Sequence, residues 1–138
     1  MDETSLIKQA FSARKNAYAP YSDFTVGAAL LCSDGTLYFG ANIENAAYSP
    51  SLCAERAAFA KAIGDGQREF SAIAVVGGKA GLGAGQIGLA YPCGVCRQWM
   101  AEFCQGDFKI IVAAAEDDFK VYLLKELLPH GFSPQSLF

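Results

Sequence analysis

The stretch "SLCAERAAFAKAI", residues 51–63, predicts a helix with an unusual first turn. That turn carries a thiol, a carboxylate and a guanidinium, on Cys53, Glu55 and Arg56, and Gly64 follows where helices commonly end. A helix that only completes a hydrophobic core does not need three such groups where the chain enters it. The start of this helix is therefore the first place to look for a functional site.

A second predicted helix, "CGVCRQWMAEFC" at residues 93–104, begins with two further thiols. Pro92 stands at its start, where a helix tolerates proline. Cys93 and Cys96 are three residues apart, so they share one helix face with Cβ atoms about 5–6 Å from each other. The backbone N–H groups of a helix start also stabilise a thiolate. This placement favours a metal site.

If both helices begin at the same edge of one sheet, the thiol of Cys53 joins those of Cys93 and Cys96. Three thiolates and one water molecule complete the four positions of a catalytic zinc ion. From the first turn of its helix, Glu55 could exchange protons with such a water. Arg56 could donate a hydrogen bond to a ligand sulfur and offset the negative charge of the thiolates.

The rest of the chain predicts a mixed sheet covered by helices, in the order α-β-β-α-β-α-β-β. The join between the last two strands is too short for a crossover, so we expect these strands to be antiparallel. A glycine-rich loop at 77–91 precedes the second thiol-bearing helix. The other predicted elements are a helix over 4–18, strands over 24–32, 36–41, 72–76, 108–115 and 119–124, and a helical turn over 124–128.

The composition indicates one domain spanning residues 1–138. Of these 138 residues, 52% are hydrophobic and 18% are charged, which is more apolar surface than a lone small domain must bury and favours a homo-oligomer. No apolar run reaches the ~18 residues of a membrane span, and the acidic N-terminus is unlike a secretory signal. We therefore expect a cytoplasmic protein with no membrane partner. The net charge of −3, without a cluster of Lys and Arg, argues against a nucleic-acid partner.

The five cysteines are an odd number, which argues against a disulfide framework and for metal binding or catalysis. On spacing alone, other interpretations stay open. Cys93 and Cys96 could form a redox pair without a metal. Cys32 or Cys104 could be the fourth ligand of a structural zinc ion. Zinc could also stabilise a binding module, which would have no use for Glu55.

The glycine-rich loop contains "GAGQIG" at 83–88, which matches a dinucleotide-binding fingerprint. That fingerprint requires a strand immediately before it and a helix that opens inside it. The predicted strand ends near Val76, several residues too early, and Pro92 comes too soon for the helix. We interpret the segment as a flexible loop without a nucleotide cofactor.

Together these motifs resemble the zinc-dependent cytidine deaminases, of the short homotetrameric type with three cysteine zinc ligands. The resemblance covers nearly the whole chain and rests on "AYAPYSDFTVGAALL", "GANIENAAYS", "CAER", "PCGVCRQ" and "ELLPHGF". It implies a three-layer α/β/α fold with a five-stranded mixed sheet. It also implies one zinc ion per subunit, a homotetramer, and a small nucleoside as the substrate.

The same resemblance implies the chemistry of the site. Cys53, Cys93 and Cys96 would hold zinc, and Glu55 would carry protons between water and the base. The reaction would convert cytidine and 2'-deoxycytidine to uridine and 2'-deoxyuridine with release of ammonia, in pyrimidine salvage. The nearest alternative is a deaminase of a modified cytosine nucleoside such as blasticidin S, against which "NIEN" (42–45) argues.

The resemblance also implies a set of substrate-binding residues. Asn42 and Glu44 would bind the ribose hydroxyls, since an amide and a carboxylate can recognise a diol. On spacing alone, the favoured interpretation is that Asn42 ends a strand and that Glu44 is solvated. The other implied residues are Phe24, Ala54, Tyr48 and Phe132. The last two would reach into the site of a neighbouring subunit or pack in the interface.

The loop before the second thiol-bearing helix departs from the family. The loop at 77–91 is longer and richer in glycine than the resemblance leads us to expect. In "AYPC", Tyr91 also stands where the family usually has a smaller residue. We expect the departure to affect the loop conformation near the site and the selectivity for the base, and to leave the metal ligands untouched.

Overall fold

The computed structural model describes residues 1–137, which form one five-stranded sheet with helices on both faces. The helices are α1 (Glu3–Arg14), α2 (Ala54–Gly64), α3 (Gly94–Phe103) and the short α4 (Leu124–Leu127), followed by a 3₁₀ turn at Pro134–Leu137. The strands are β1 (Phe24–Cys32), β2 (Leu37–Ala41), β3 (Phe70–Lys79), β4 (Lys109–Ala115) and β5 (Asp118–Leu123). No helix in this described part is long and apolar enough to cross a membrane.

The strands lie in the order β2-β1-β3-β4-β5. Only β3 and β4 are parallel, and α3 provides the crossover that parallel neighbours require. The other neighbours are antiparallel, including β4 and β5, whose short connection predicted this. The predicted mixed sheet is therefore confirmed.

Two hydrophobic cores cover the two faces of the sheet. Because side chains of a strand alternate between faces, β3 contributes to both cores. Ile73 and Val75 belong to the core that α2 and α3 complete, whereas Ala74 and Val76 belong to the core that α1 completes. The result is the predicted three-layer α/β/α arrangement, with both thiol-bearing helices in one layer.

The start of α2 lies close against β2 because Gly40 has no side chain. A Cβ atom at Gly40 would lie 2.0 Å from the carbonyl oxygen of Ala54 and 2.7 Å from the backbone nitrogen of Ala58. Protein interiors are too densely packed to absorb such an overlap without movement of the backbone. Gly40 therefore determines how near the first turn of α2, with Cys53 directly before it, comes to the sheet.

The predicted end of the first helix is wrong. The helix was expected to reach residue 18, but α1 ends at Arg14. The backbone N–H of Tyr18 donates to the carbonyl oxygen of Asn42 at 2.9 Å, and Tyr18 pairs with Ile43 in an isolated bridge. A partner distant in sequence thus replaces the last helical turn.

The predicted end of β3 is also wrong. The strand was expected to stop at residue 76, but it continues to Lys79. Gly77 and Gly78 pair with Val26 and Thr25 of β1, and this pairing outweighs the weak preference of glycine for strands. The glycine-rich loop accordingly begins at residue 80 rather than 77.

Candidate active site

Three thiols come together where α2 and α3 begin. Cys53 is the residue before α2, Cys93 is the residue before α3, and Cys96 lies in the first turn of α3. The Sγ of Cys93 is 3.9 Å from that of Cys53 and 3.5 Å from that of Cys96, and all three sulfur atoms lie within 4.8 Å of one another. The two helix starts therefore share one edge of the sheet, as the sequence led us to expect.

The spacing of the thiols fits zinc. Sulfur ligands at about 2.3 Å from a tetrahedral ion lie about 3.8 Å from one another. The Sγ separations of 3.5 and 3.9 Å match this geometry. Thiolate is also a preferred donor for zinc, and three protein ligands leave one position for water. The cluster thus has the donor set and the size of a catalytic zinc site.

The pKa values of two thiols in the cluster are shifted in opposite directions. Donation from Cys96 and from Arg56 lowers the pKa of the Cys53 thiol to about 5. The Nη2 atom of Arg56 lies 3.2 Å from the Sγ of Cys53. Contact with Cys53 and burial raise the pKa of the Cys96 thiol. Cys53 therefore ionises more readily than Cys96, and a bound cation would displace the proton of Cys96.

Glu55 lies in the first turn of α2 with 4% of its surface exposed. Burial raises the pKa of its carboxyl to about 7, with a smaller contribution from the negative charge of Cys53. A carboxyl group so placed can hold a proton and also release it, as a general acid and base must. No substrate is needed to bring this group beside the thiols.

A cavity of about 400 Å³ opens in front of the thiols and Glu55. Its size suits a small molecule such as a nucleoside. Most of the residues that we predicted for the site line it. They are Asn42, Glu44, Tyr48, Cys53, Ala54, Glu55, Arg56 and Cys93.

Asn42 is held against β1 by both ends of its side-chain amide. Its Oδ1 accepts from the backbone N–H of Val26 at 2.8 Å, and its Nδ2 donates to the carbonyl oxygen of Phe24 at 2.8 Å. These contacts fix the side chain at the wall of the cavity. An amide nitrogen has two N–H groups and an amide oxygen two lone pairs, so further hydrogen bonds remain open to a ligand.

Glu44 binds the turn that precedes β1. Its Oε1 accepts from the backbone N–H groups of Tyr21 and Ser22 at 2.9 and 3.1 Å, and its Oε2 accepts from the hydroxyl of Ser22. The hydrogen bond from Ser22 lowers the pKa of the carboxyl, so the group is ionised at neutral pH. Glu44 is thus an oriented carboxylate at the cavity.

The three predicted aromatic residues differ in their positions. Tyr48 lines the cavity, is 72% exposed, and has a positive φ of 61°. Phe24 and Phe132 are not among the residues that line the cavity, although 44% and 59% of their surfaces are exposed. Within one chain, the structure therefore brings only Tyr48 of this group to the cavity.

The two remaining cysteines stand apart from the thiol cluster. Cys32 is buried at the end of β1 and belongs to the hydrophobic core. Cys104 lines a different cavity, and burial raises the pKa of its thiol to about 12. Within residues 1–137, no fourth cysteine joins the cluster. This geometry disfavours a structural zinc site with four cysteine ligands.

Six residues that line the cavity were not among the predicted site residues, namely Val26, Ser49, Ser51, Leu52, Val75 and Tyr91. Val26 and Val75 looked like ordinary core positions of strands, and nothing in the local pattern distinguishes them. Tyr91 departs from the family, and the sequence predicts an effect of this departure on base selectivity without placing Tyr91 in the site. Its position two residues before Cys93 is the signal that could have placed it in the site.

The sequence and the structure both match known deaminases. Residues 1–77 match the family described as "Cytidine and deoxycytidylate deaminase zinc-binding region". The cytidine deaminase of Sporosarcina psychrophila is 48% identical over 137 residues, which are 99% of this chain and 96% of the relative. The cytidine deaminase of Halalkalibacterium halodurans is 46% identical over 137 residues, which are 99% of this chain and 98% of the relative. The crystal structure of the cytidine deaminase from Burkholderia pseudomallei has a TM-score of 0.86 at 42% identity, covering 96% of this chain and 100% of that one.

Three convergent thiols and a buried carboxyl group at one sheet edge have the arrangement of a catalytic zinc site, and the relatives place the chain among the zinc-dependent hydrolases. The relatives that match over 99% of the chain are cytidine deaminases. The chain belongs to the zinc-dependent cytidine deaminase family, and its cofactor is one zinc ion per subunit.

Proposed function

We propose that this protein catalyses the hydrolytic deamination of cytidine and 2'-deoxycytidine, in pyrimidine salvage. The oxygen of water bonds to C4 of the base, the bond from C4 to the amino nitrogen breaks, and uridine or 2'-deoxyuridine leaves with ammonia. One observation carries the proposal: two thiols of the cluster, Cys53 and Cys93, line the same nucleoside-sized cavity as the buried Glu55. The names of the full-length relatives support cytidine over a modified nucleoside such as blasticidin S.

Cys53, Cys93 and Cys96 are the residues that would hold the zinc ion. When bound, zinc lowers the pKa of a water ligand and so supplies a nucleophile at neutral pH. Arg56 supports this role from the protein side. Its guanidinium donates to the Sγ of Cys53 at 3.2 Å and so offsets part of the negative charge of the thiolate ligands.

Glu55 moves the protons of the reaction. Its carboxylate takes a proton from the attacking water and passes it to N3 of the base. It then takes the remaining proton from the hydroxyl group added at C4 and delivers it to the departing amine, so that the C4 carbonyl forms and ammonia leaves as a neutral molecule. The side chain is only 4% exposed, which limits loss of the proton to bulk water between these steps.

The remaining residues orient the nucleoside. Asn42 and Glu44 bind the ribose hydroxyls, and the hydrogen bonds to β1 and to the 21–22 turn hold both groups in place before the substrate arrives. Ala54 lines the cavity beside Glu55. Phe24, which does not line the cavity within one chain, is assigned to the base pocket by the family resemblance alone. Tyr48 and Phe132, both largely exposed, extend to a neighbouring subunit.

The homotetramer is the assembly that we propose for this one-domain chain of residues 1–138. The exposed aromatic side chains of Tyr48 and Phe132 would be covered in it, and their burial would add apolar contact. The net charge of −3 supports a small nucleoside, rather than a nucleic acid, as the partner. The location that we propose is the cytoplasm.

The test is the change in ultraviolet absorbance when zinc-loaded protein is mixed with cytidine. The expected result is conversion to uridine, and the Glu55→Ala variant is expected to lose at least ~10²-fold in rate while it retains zinc. No conversion by the zinc-loaded wild type would refute the proposal. Conversion of blasticidin S alone would move the assignment to modified nucleosides.

A further inference from the structure

Tyr91 is a large aromatic residue at the cavity for which the proposed reaction has no assigned role. It lines the same cavity as Asn42, Glu55 and Cys93, and 43% of its surface is exposed. An aromatic face left open at a nucleoside-sized cavity can pack against a planar base. Its surroundings determine whether it is held there or free to turn away.

The ring of Tyr91 is held by a neighbouring tyrosine of β5. The hydroxyl groups of Tyr91 and Tyr122 lie 2.9 Å apart and share a hydrogen bond. The ring centroids are 5.6 Å apart with an angle of 59° between the planes, a favourable aromatic arrangement. The hydrogen bond with Tyr122 fixes the direction of the Tyr91 hydroxyl, which leaves the partly exposed ring as a surface that a base can contact.

The loop that carries Tyr91 is fastened to the sheet. A Cβ atom at Gly77 would lie 2.9 Å from the Cβ of Ala90, and one at Gly78 would lie 2.2 Å from the Cγ2 of Ile87. Ala90 and Ile87 of the loop therefore pack directly onto the backbone of β3. The position of Tyr91 therefore follows from packing that exists before a ligand binds.

Chain connectivity places Tyr91 at the reacting end of the cavity. It is two residues before Cys93, so its Cα lies within about 7 Å of the Cα of that proposed zinc ligand. Asn42 and Glu44, proposed for the ribose, come from a different segment of the chain. The edge of a cytosine that carries C4 and C5 must approach the thiol cluster, and hence the residue beside it.

We propose that Tyr91 is a substrate-binding and specificity-determining residue, whose ring contacts the C4–C5 edge of the base and excludes substituents at C5. Tyr122 is a positioning residue that acts through Tyr91. The proposal rests on the proposed deamination of cytidine. It assigns to this chain a wall of the base pocket that a smaller residue would leave open.

The test combines product binding with substrate discrimination in Tyr91→Ala, Tyr91→Phe and Tyr122→Phe. Binding of uridine is measured by calorimetry on zinc-loaded protein, and the kcat/KM ratio of cytidine to 5-methylcytidine is measured separately. For Tyr91→Ala we expect the Kd of uridine to rise about tenfold and the ratio to fall about tenfold. Tyr38→Phe is the matched control, because its hydroxyl bonds Asp65 outside this cavity.

The two hydroxyl deletions test the positioning role. Since Tyr91→Phe and Tyr122→Phe remove the same hydrogen bond, each should weaken uridine binding by a few-fold, and the double variant should match either single variant. Folded, zinc-loaded Tyr91→Ala with unchanged Kd and unchanged ratio would overturn the proposal while leaving the deaminase assignment intact. Wild type that neither binds uridine nor converts cytidine would overturn both.

Discussion

The guanidinium of Arg56 donates to the Sγ of Cys53 across 3.2 Å, within the first turn of α2. Three thiolates on one zinc ion carry a net negative charge, which weakens the effect of the metal on a bound water. A hydrogen bond from a cation to one of these sulfur atoms offsets part of that charge. The sequence "CAER" therefore places the proposed metal ligand, the proposed proton carrier and the proposed charge-balancing group within four residues at one helix start.

Replacement of Arg56 by Gln should reduce zinc affinity or activity by about 10–100-fold, because the ligand sulfur loses its charged partner. Zinc release to a chromogenic chelator measures the affinity, and steady-state kinetics measure the activity. Arg68→Gln is the matched control, since Arg68 bonds only backbone carbonyl groups at the other end of α2. If the two variants had equal zinc affinity and equal activity, Arg56 would not act as a charge-balancing partner of the zinc ligands.

Replacement of Cys53 or Cys93 by Ser should abolish tight zinc binding, because each thiol is one of three that converge. Metal content per subunit after gel filtration is the measurement, with an expected fall from about one to near zero. Cys104→Ser should keep its zinc, because Cys104 lies in a different cavity. Loss of zinc from Cys104→Ser would point to a four-cysteine site instead.

A methyl group at Gly40 should damage both stability and the site. The new Cβ would meet the backbone of Ala54 and Ala58 at 2.0 and 2.7 Å, so α2 must shift away from β2. We expect Gly40→Ala to lower the free energy of unfolding by about 1–3 kcal/mol and to weaken zinc binding. Urea denaturation and metal content are the two measurements.

The same substitution at Gly64 provides the comparison. A Cβ there meets nothing within 4 Å, and the residue ends the same helix. Gly64→Ala should leave stability unchanged or raise it by up to about 1 kcal/mol. If Gly40→Ala behaved as Gly64→Ala does, close contact between α2 and β2 would not be what positions Cys53.

Arg14 should be essential for the stability of the protein and for the fixed position of the glycine-rich loop at residues 80–91. This guanidinium is only 8% exposed and donates to the carbonyl oxygens of Thr25, Gly78, Lys79 and Leu82. Arg14→Met leaves those carbonyl groups without their donor, and we expect a loss of about 3 kcal/mol in the free energy of unfolding. Limited proteolysis should then cut between residues 80 and 91 first.

Lys15→Met serves as the control for Arg14→Met, since Lys15 is exposed at the end of α1. It should change stability by no more than about 0.5 kcal/mol. If the two variants had the same stability and the same protease resistance, the loop would not depend on the contacts of Arg14.

Local rules of helix geometry were sufficient to pair Cys93 with Cys96 and to place Cys53 at a helix start, whereas the meeting of Cys53 with the other two thiols depends on the shared sheet edge. The spacing of Cys93 and Cys96 and the position of Cys53 at a helix start depend only on neighbouring residues, so the sequence carries them directly. The antiparallel β4 and β5 followed in the same way from the length of one connection.

Features that depend on distant partners could not be predicted. The end of α1 is set by the bridge between Tyr18 and Ile43, and the end of β3 by the pairing of two glycines with β1. Periodicity within one segment contains no information about such partners. The contacts that hold Asn42 and Glu44 likewise became visible only once β1 and the preceding turn were in place.

The central claim is that water attacks the base of cytidine in a zinc site where Glu55 moves the protons. The most direct measurement is mass spectrometry of the uridine formed in heavy-oxygen water, with zinc-matched wild type and Glu55→Gln. The account predicts that wild-type product carries one heavy oxygen and that Glu55→Gln forms almost no product. Unlabelled uridine from the wild type, or equal rates from the two proteins, would contradict it.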